Sequence, residues 1–520
     1  MCGDDGGSLQ HSHRSRKVCV VGASMAGLAA ARELRREGHA VTVMEQRGDV
    51  GGQWLYDPRT DGGDPLGAAP RPVKVHSSMY ASVRLISPRE LMGFSDFQFV
   101  PTRHGGGDPR RFPVHGEVYR YLKDFCDTFG LMDFVKLNTR VVRVAMAPPR
   151  LPDEEKEGGD ELRWVVRSVK IRESEDGITD DEEIAAEEEE MFDAVVVANG
   201  HYSQPRLPSI NGMEQWKRRQ LHSHSYRVPD PFRGEVVVLV GCGDSGLDIA
   251  LDLCGVAREV HLTSNSSMAS ATSTSPAMSK MLANHAGHLH LHPRIDRLGH
   301  DGHVAFVDGS GVVADTVIFC TGYDYSFPFL DTGGLVTVDD NRVGPLFEHT
   351  FPPAIAPSLS FVGVPRKVIV PWFFQAQGRW IARVLSCRSS LPEVEEMVRA
   401  VEEYHHGREI AGVPKKYSHD LGGVDPRNVD PKEMYEFVAK YTDLAPMEDW
   451  KNEIVYSVIR NVKQDRETFR DRDDDSQNVR RGVETWLTLN MSAAAKEDGA
   501  ANSTSACAHS PSCLNSDIRS

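Results

Sequence analysis

The 520-residue chain contains no run of about 18 apolar residues, so no membrane span is expected. Positive charge is scarce as well. The chain has 59 Lys and Arg against 75 Asp and Glu, a formal net charge of −16, which argues against nucleic acid or an anionic membrane surface as a main partner. Paired cysteines are missing: Cys2, Cys19, Cys126, Cys242, Cys254, Cys320, Cys387, Cys507 and Cys513 include no CxxC and no metal spacing. That excludes a dithiol redox pair and fits a reducing compartment. The start, MCGDDGGSLQHSH, is polar and acidic and lacks the apolar stretch of a secretory signal. A cytoplasmic protein is expected.

What the chain does carry is a glycine-rich phrase, twice. VVGASMAG (20–27) and LVGCGDSG (239–246) each follow a Val-rich run and precede a helix-like stretch. Two further segments repeat, DAVVVANGHY (193–202) and DTVIFCTGYD (315–324), both short apolar strands ending in Asn/Thr-Gly-aromatic. The length suits two or three domains with a sizeable core. The expected fold class is α/β, with two dinucleotide-binding, Rossmann-like, doubly wound domains in one chain.

The first turn reads as strand, tight turn, amphipathic helix, Gly38 as C-cap, and a second strand ending at Glu45. The dinucleotide fingerprint needs glycine for the turn, for approach of the pyrophosphate and for helix–strand packing. Here Gly22, Ser24 and Gly27 hold those places, with Ala23, Met25 and Ala26 between them. A Ser Cβ crowds the middle place, although its hydroxyl can donate in return. Glu45 is suitably placed to accept from a ribose hydroxyl. The second turn, Gly241, Cys242, Gly243, Asp244, Ser245 and Gly246, has all three glycines. Ser264 stands where an acid would hold a 2′-hydroxyl and repel a 2′-phosphate, which favours NADPH over NADH. One turn for FAD and one for NADPH would pass hydride across a domain interface. Without paired cysteines the electrons must go to oxygen, a quinone or a small acceptor.

Beyond the turns, GGQW (51–54), SPRELMGFSDFQFVP (87–101), VVANGHYSQPRLP (196–208), HSHSYRVPDPF (222–232), FCTGYDYSFPFL (319–330), VPRKVIVPWFFQAQGRWIA (364–382) and ETFRDRDDD (467–475) complete a set. Over about residues 17–470 the chain resembles a flavin-containing monooxygenase, most of all the plant S-oxygenating, glucosinolate S-oxygenase-like branch. The resemblance implies that NADPH reduces FAD, and that oxygen adds at the flavin C4a to give a hydroperoxide. A soft nucleophile, the sulfur or amine nitrogen of a small molecule, then takes one oxygen atom from O2. The protein orients cofactors and excludes water, so no Ser-His-Asp triad and no metal is needed, and none is found.

The resemblance also assigns residues. Gln53, Trp54 and Gln377 join Gly22–Gly27 and Glu45 as FAD contacts, and the second turn with Ser264 becomes the NADPH site. Ile86 and Ser87 stand where the family carries an Asn that helps hold NADP⁺ and the flavin adduct, and Ile cannot donate a hydrogen bond. In F-x-G-x-x-x-H-S the chain has Trp216, Arg218 at the glycine place, and His222-Ser223. His222 touches NADPH, or His222 and His224 are solvent-facing linker residues; both readings stand.

A FAD domain over 17–205 and 315–450 is expected, with an NADPH domain (206–314) inserted in it. A helical extension (451–490) follows, and 1–16 and 491–520 are expected to be disordered. The acidic runs 153–161 and 174–190 read as solvated hairpin loops. Residues 264–292 read as an irregular excursion without metal spacing, and Trp372, Phe373 and Phe374 as core. Rival readings are a Baeyer–Villiger or auxin-type monooxygenase, and a weakly coupled NADPH oxidase or redox-sensing flavoprotein.

Overall fold

The computed structural model describes residues 14–69, 74–101, 107–148, 162–171, 187–264, 275–422 and 430–490. The expected disorder of the tail, of most of 1–16 and the loop at 153–161 thus lie outside the described residues. Strand β1 (Lys17–Val21) is a Val-rich run buried along Val18–Val21, as a central parallel strand requires. It turns into α1 (Met25–Arg36). Gly38, at a φ of 89°, ends that helix and lets His39 N–H reach Leu34 O at 3.0 Å. β2 (Ala40–Met44) then lies parallel to β1. Helix α2 (His115–Thr128), β3 (Val135–Lys136), β4 (Thr139–Met146), β5 (Trp164–Lys170), β6 (Glu187–Phe192) and β7 (Ala194–Val197) follow. The first sheet is parallel, in the order Leu359–Phe361, β7, β1, β2, β3. β4, β5 and β6 form an antiparallel sheet beside it.

β8 (Gln204–Pro205) pairs antiparallel with Tyr323–Asp324, and these two segments carry the chain into and out of a second unit. That unit holds β9 (Arg219–His222), β10 (Val236–Val240), α3 (Asp244–Cys254), β11 (Glu259–Ser264), α4 (Pro276–Asn284) and β12 (Leu289–Pro293). It continues with β13 (Ile295–Leu298), β14 (His303–Phe306), β15 (Gly311–Val313) and β16 (Thr316–Phe319). Its main sheet is parallel in the order β12, β11, β10, β16, β9; one face packs on α3 and α4, the other on the three-stranded β13–β14–β15 sheet. Helix α5 (Val370–Leu385) returns to the first unit and lies against α1. A Cβ on Gly378 would come within 2.9 Å of Ala30 Cα, so the small residues of both helices set their separation. Trp372, Phe373 and Phe374 lie in this core. Residues 449–464 and 477–490 are helical. Among the described residues no helix is long and apolar enough to cross a membrane.

Four expectations need correction. The first unit does not resume at residue 315, because Thr316–Phe319 pairs with β10 and β9 and completes the second sheet. Glu187–Glu190 are strand rather than loop: β6 pairs with β5, and its carboxylates meet Lys17, Lys136 and Arg167. Of 264–292, residues 276–284 are helix and 289–292 strand; Pro276 at the first helical position and Ser275 accepting from Met278 N–H start the helix. Arg218, whose place at a family glycine suggests a disturbed tight turn, does not disturb it, since it ties Ala314 O and Asp301 O at 2.7 and 3.0 Å across the face of Gly302.

Buried histidines are a liability of this packing. His419 Nε2 accepts from Val343 N–H at 2.9 Å, so its Nδ1–H donates to His349 Nδ1, also at 2.9 Å, and both rings are neutral. Burial holds His349 and His222 down to about 3 and His201 and His224 down to about 4. Above about pH 6.5 neither the folded nor the unfolded chain protonates them; below it the unfolded chain takes up protons first. Stability is therefore full above pH 6.5 and falls as pH drops toward 4, by up to about 1.4 kcal/mol per pH unit for each such ring. Thermal unfolding followed from pH 8 to 4 should show a flat midpoint that drops steeply below pH 6.5. A midpoint unchanged down to pH 5 contradicts this reading.

Candidate nucleotide-binding sites

Both glycine-rich turns sit where a parallel strand ends and a helix begins, and they are built alike. Gly22 has a φ of 102° and Gly241 a φ of 117°. A Cβ at Gly22 would lie 2.7 Å from Ala198 O, and one at Gly241 2.5 Å from Cys320 O. The last glycine is equally constrained. At Gly27 the added carbon would meet Gly22 O at 1.9 Å, and at Gly246 it would meet Gly241 O at 2.0 Å. Gly22 N–H donates to Met44 O (2.9 Å) and Gly241 N–H to Thr263 O (3.1 Å), which fixes each turn to the neighbouring strand. The repeated Asn/Thr-Gly segments are thus parts of the same device, because their strand ends supply the carbonyls against which the turns rest.

The turns differ at the middle position. Gly243 is exposed, and a Cβ there would meet nothing within 4 Å. Ser24 is half-buried and donates its hydroxyl to Gly51 O at 3.2 Å, while a Cβ on Gly52 would lie 2.4 Å from its own Cβ. The Gly51-Gly52 loop therefore closes over the first turn. Beneath it is a cleft of about 860 Å³ of free space, part of it open to solvent, lined by Gly22, Ser24, Glu45, Gly52, His76 and Asn199 among others. Glu45 accepts from Ala23 N–H (2.8 Å) and Arg47 N–H (2.9 Å), and burial raises its pKa. Its carboxylate has lone pairs left for a ribose hydroxyl. Burial also keeps His76 neutral, with a pKa lowered to about 4.

A family description, Flavin-binding monooxygenase-like, matches residues 15–273 and 271–421. The chain belongs to that family. It is an enzyme of the flavin-containing monooxygenase class. The Arabidopsis thaliana protein named Flavin-containing monooxygenase FMO GS-OX-like 9 is 49% identical over 479 residues, covering 91% of this chain and 96% of that protein. The solved S-allyl-L-cysteine S-oxygenase from Allium sativum is 40% identical with a TM-score of 0.78, covering 92% of this chain and all of that one. Tmm from Pelagibacter sp. shares the fold, at 22% identity and a TM-score of 0.66 over 89% of this chain and 94% of that one.

The structure sorts the expected residues by where it places them. Gly22, Ser24 and Glu45 line the cleft, whereas Ala23, Met25, Ala26 and Gly27 are buried beneath it and shape the turn. Gln53 and Trp54 occupy one 3-10 turn (Gly52–Trp54); Ser77 Oγ donates to Gln53 O at 2.9 Å, and Trp54 packs on the core. Gln377 does not line the cleft: it is 0% exposed, and its amide bonds Gly363 N–H and Thr350 Oγ. It positions the loop after the strand Leu359–Phe361. Ile86 and Ser87 are half-buried and do not line the cleft; after them Arg89 and Glu90 are buried in ion pairs with Glu117 and Arg111. His222 and His224 are not solvent-facing, for both are buried against Tyr323.

At the second turn Cys242 and Ser245 are half-buried, Gly246 is buried, and Ser264 ends β11. Burial pushes the Cys242 thiol up to about 11 and the Cys320 thiol up to about 12. Asp244 stands in the first turn of α3, where its charge would repel a phosphate. Arg466, 1% exposed, meets it at 2.8 Å and Asp248 at 3.0 Å. Arg470 binds Asp248 (3.1 Å) and Leu85 O (3.0 Å), next to Ile86. Segment 465–475 is thus a strap from the second unit to the Ile86–Ser87 segment, reinforced by Arg84–Asp471 and Arg111–Asp475 pairs. The ETFRDRDDD motif marks its position along the chain, but nothing in the motif tells what its arginines reach.

Two predictions follow from these contacts. Gly27→Val should leave the purified protein without flavin absorbance, because its new side chain collides with the turn's own carbonyl. Gly243→Ala should fold and keep its flavin yet bind NADPH, the nucleotide expected there, about tenfold more weakly (~1.4 kcal/mol). Equal NADPH titrations for wild type and Gly243→Ala contradict this. Separately, Arg466→Gln should weaken NADPH by a similar factor through unscreened Asp244, and adding Asp244→Asn should restore it. A double variant as weak as the single one would show that charge is not the reason.

Proposed function

We propose that the protein is an FAD- and NADPH-dependent monooxygenase that transfers one oxygen atom from O2 to a soft nucleophile, the sulfur or amine nitrogen of a small molecule. The observation that carries this reading is the asymmetry of the two turns. One is closed over by Gly51-Gly52 above a deep cleft, as a resident cofactor needs; the other, at Gly243, faces open space, as a nucleotide that enters and leaves needs. FAD reduced by NADPH supplies the activated oxygen. The protein's part is to bind, orient and exclude water. Gly22, Ser24 and Glu45 would hold the FAD pyrophosphate and ribose. The N-terminus of α3 would attract the NADPH pyrophosphate, with Arg466 cancelling the Asp244 charge. Ser264 leaves room for a 2′-phosphate, so NADPH should reduce the flavin faster than NADH. The 40% identity to a protein named as an S-allyl-L-cysteine S-oxygenase supports a sulfur substrate first.

Ile86 qualifies the reading. Ile86 lies outside the cleft lining, so an amide here would act only on a nucleotide reaching this segment from the second unit; losing that hydrogen bond would cost about 1 kcal/mol or more. The proposed enzyme oxygenates its substrate while leaking some hydrogen peroxide. The test is oxygen and NADPH consumption with thioethers and tertiary amines, scored for oxide product and hydrogen peroxide. Oxide formation above the peroxide background is expected, and Ile86→Asn should raise the product-to-peroxide ratio without changing flavin content. Peroxide as the sole product across the panel would overturn the monooxygenase reading in favour of an oxidase. Full coupling in wild type that falls in Ile86→Asn would overturn the account of Ile86.

A further inference from the structure

The main sheet of the second unit presents two unlike faces. Val260 and Leu262 of β11 and Leu289 of β12 turn to the apolar layer beneath α3 and α4. The alternate positions, Glu259, His261, His290 and His292, lie on the other face, as the two-residue period of a strand dictates. His261 is directly opposite His290 and Thr263 opposite His292 in the parallel register. On that face Phe306 of β14 stacks on the His292 ring at 4.1 Å and 10°.

The donors converge. Glu259 Oε2 lies 3.2 Å from His261 Nε2 and 4.0 Å from His290 Nε2, and one ligand atom from each of the three residues falls within 4.8 Å of the others. The His261 and His290 rings stack at 4.7 Å. His290 Nε2 is enclosed by protein and has no hydrogen-bond partner. His261 is 5% exposed, and its other nitrogen, Nδ1, sits 2.9 Å from His292 Nε2. Metal–nitrogen bonds of about 2.0–2.1 Å in a tetrahedron put donors about 3.4 Å apart; the separations of 3.2 and 4.0 Å bracket that value.

We propose that Glu259, His261 and His290 form a binding site for a zinc-class divalent cation, with His292 fixing the ring orientation of His261. Two imidazoles and a carboxylate are borderline donors that favour zinc, nickel or copper over magnesium and calcium. Three protein ligands leave a fourth position for water. His292 supplies the outer contact that metal-bound imidazoles regularly make through their second nitrogen. The site lies on the face of the sheet, whereas Gly241–Gly246 lie at the strand ends, so the cation would staple edge strand β12 to β11 rather than enter the oxygenation chemistry. Spacing along 264–292 does not reveal the site, because its donors come from two strands brought together by register.

The full-length holoenzyme, stripped with a chelator and dialysed, can be titrated calorimetrically with zinc chloride, with magnesium and calcium chloride as comparisons. One zinc per chain is expected, together with a rise in thermal-unfolding midpoint that magnesium and calcium do not give. Cobalt substitution should give the visible absorption of a tetrahedral N/O site. Glu259→Gln and His290→Gln replace side chains that are 39% and 37% exposed, so both variants should fold and keep flavin, and each should bind zinc at least about tenfold more weakly. Absence of stoichiometric zinc, or zinc uptake unchanged in both variants because other histidines hold it, would overturn the proposal.

Discussion

The contact on which both halves of the molecule depend is a backbone carbonyl pressed against a glycine. Ala198 O closes on Gly22, and Cys320 O on Gly241, at separations that leave no room for a Cβ. Because each carbonyl ends the strand next to the one that feeds the turn, the turn's shape is set by the sheet and not by the loop itself. Gly27 and Gly246 then bring helix α1 or α3 down onto the turn's own carbonyl, Gly22 O or Gly241 O. A strand–turn–helix unit assembled in this way has its helix N-terminus in place before any ligand arrives, which lowers the cost of binding an anion there.

The two units diverge in what surrounds that common core. In the first, the Gly51-Gly52 loop, Ser24 and the Glu45 carboxylate clamp the turn from three sides, and α5 buries α1 from behind. In the second, the turn is bare, and its supports lie far off in sequence: Arg466 and Arg470, more than 200 residues away, neutralise α3 and tie it to the segment before Arg89. One shared backbone geometry thus carries two different surroundings, one covered and one open.

Sequence made the turns legible because each needs glycine at positions no other residue can take. The strand-end repeats were equally plain, yet they also held the clue to the second unit's true limit. DTVIFCTG plays for β10 the part that DAVVVANG plays for β1, so Thr316–Phe319 had to belong to the second sheet. Gln377 illustrates a different limit, since a motif identifies a helix but not which of its sides faces the ligand. The Glu259–His261–His290 group was invisible because strand register, not spacing along the chain, brings the donors together. Arg466 was unreadable for the same reason: a salt bridge between residues 244 and 466 leaves no local pattern.

The thiols beside the second turn bear on how long such an enzyme lasts. Peroxide attacks the thiolate, and burial that pushes the Cys320 thiol up to about 12 keeps it un-ionised at neutral pH. Cys242, held near 11, is scarcely more reactive. Any peroxide that reached the second turn would meet two cysteines held in the thiol form. Self-inactivation of this chain would have to begin elsewhere than at the nucleotide turn.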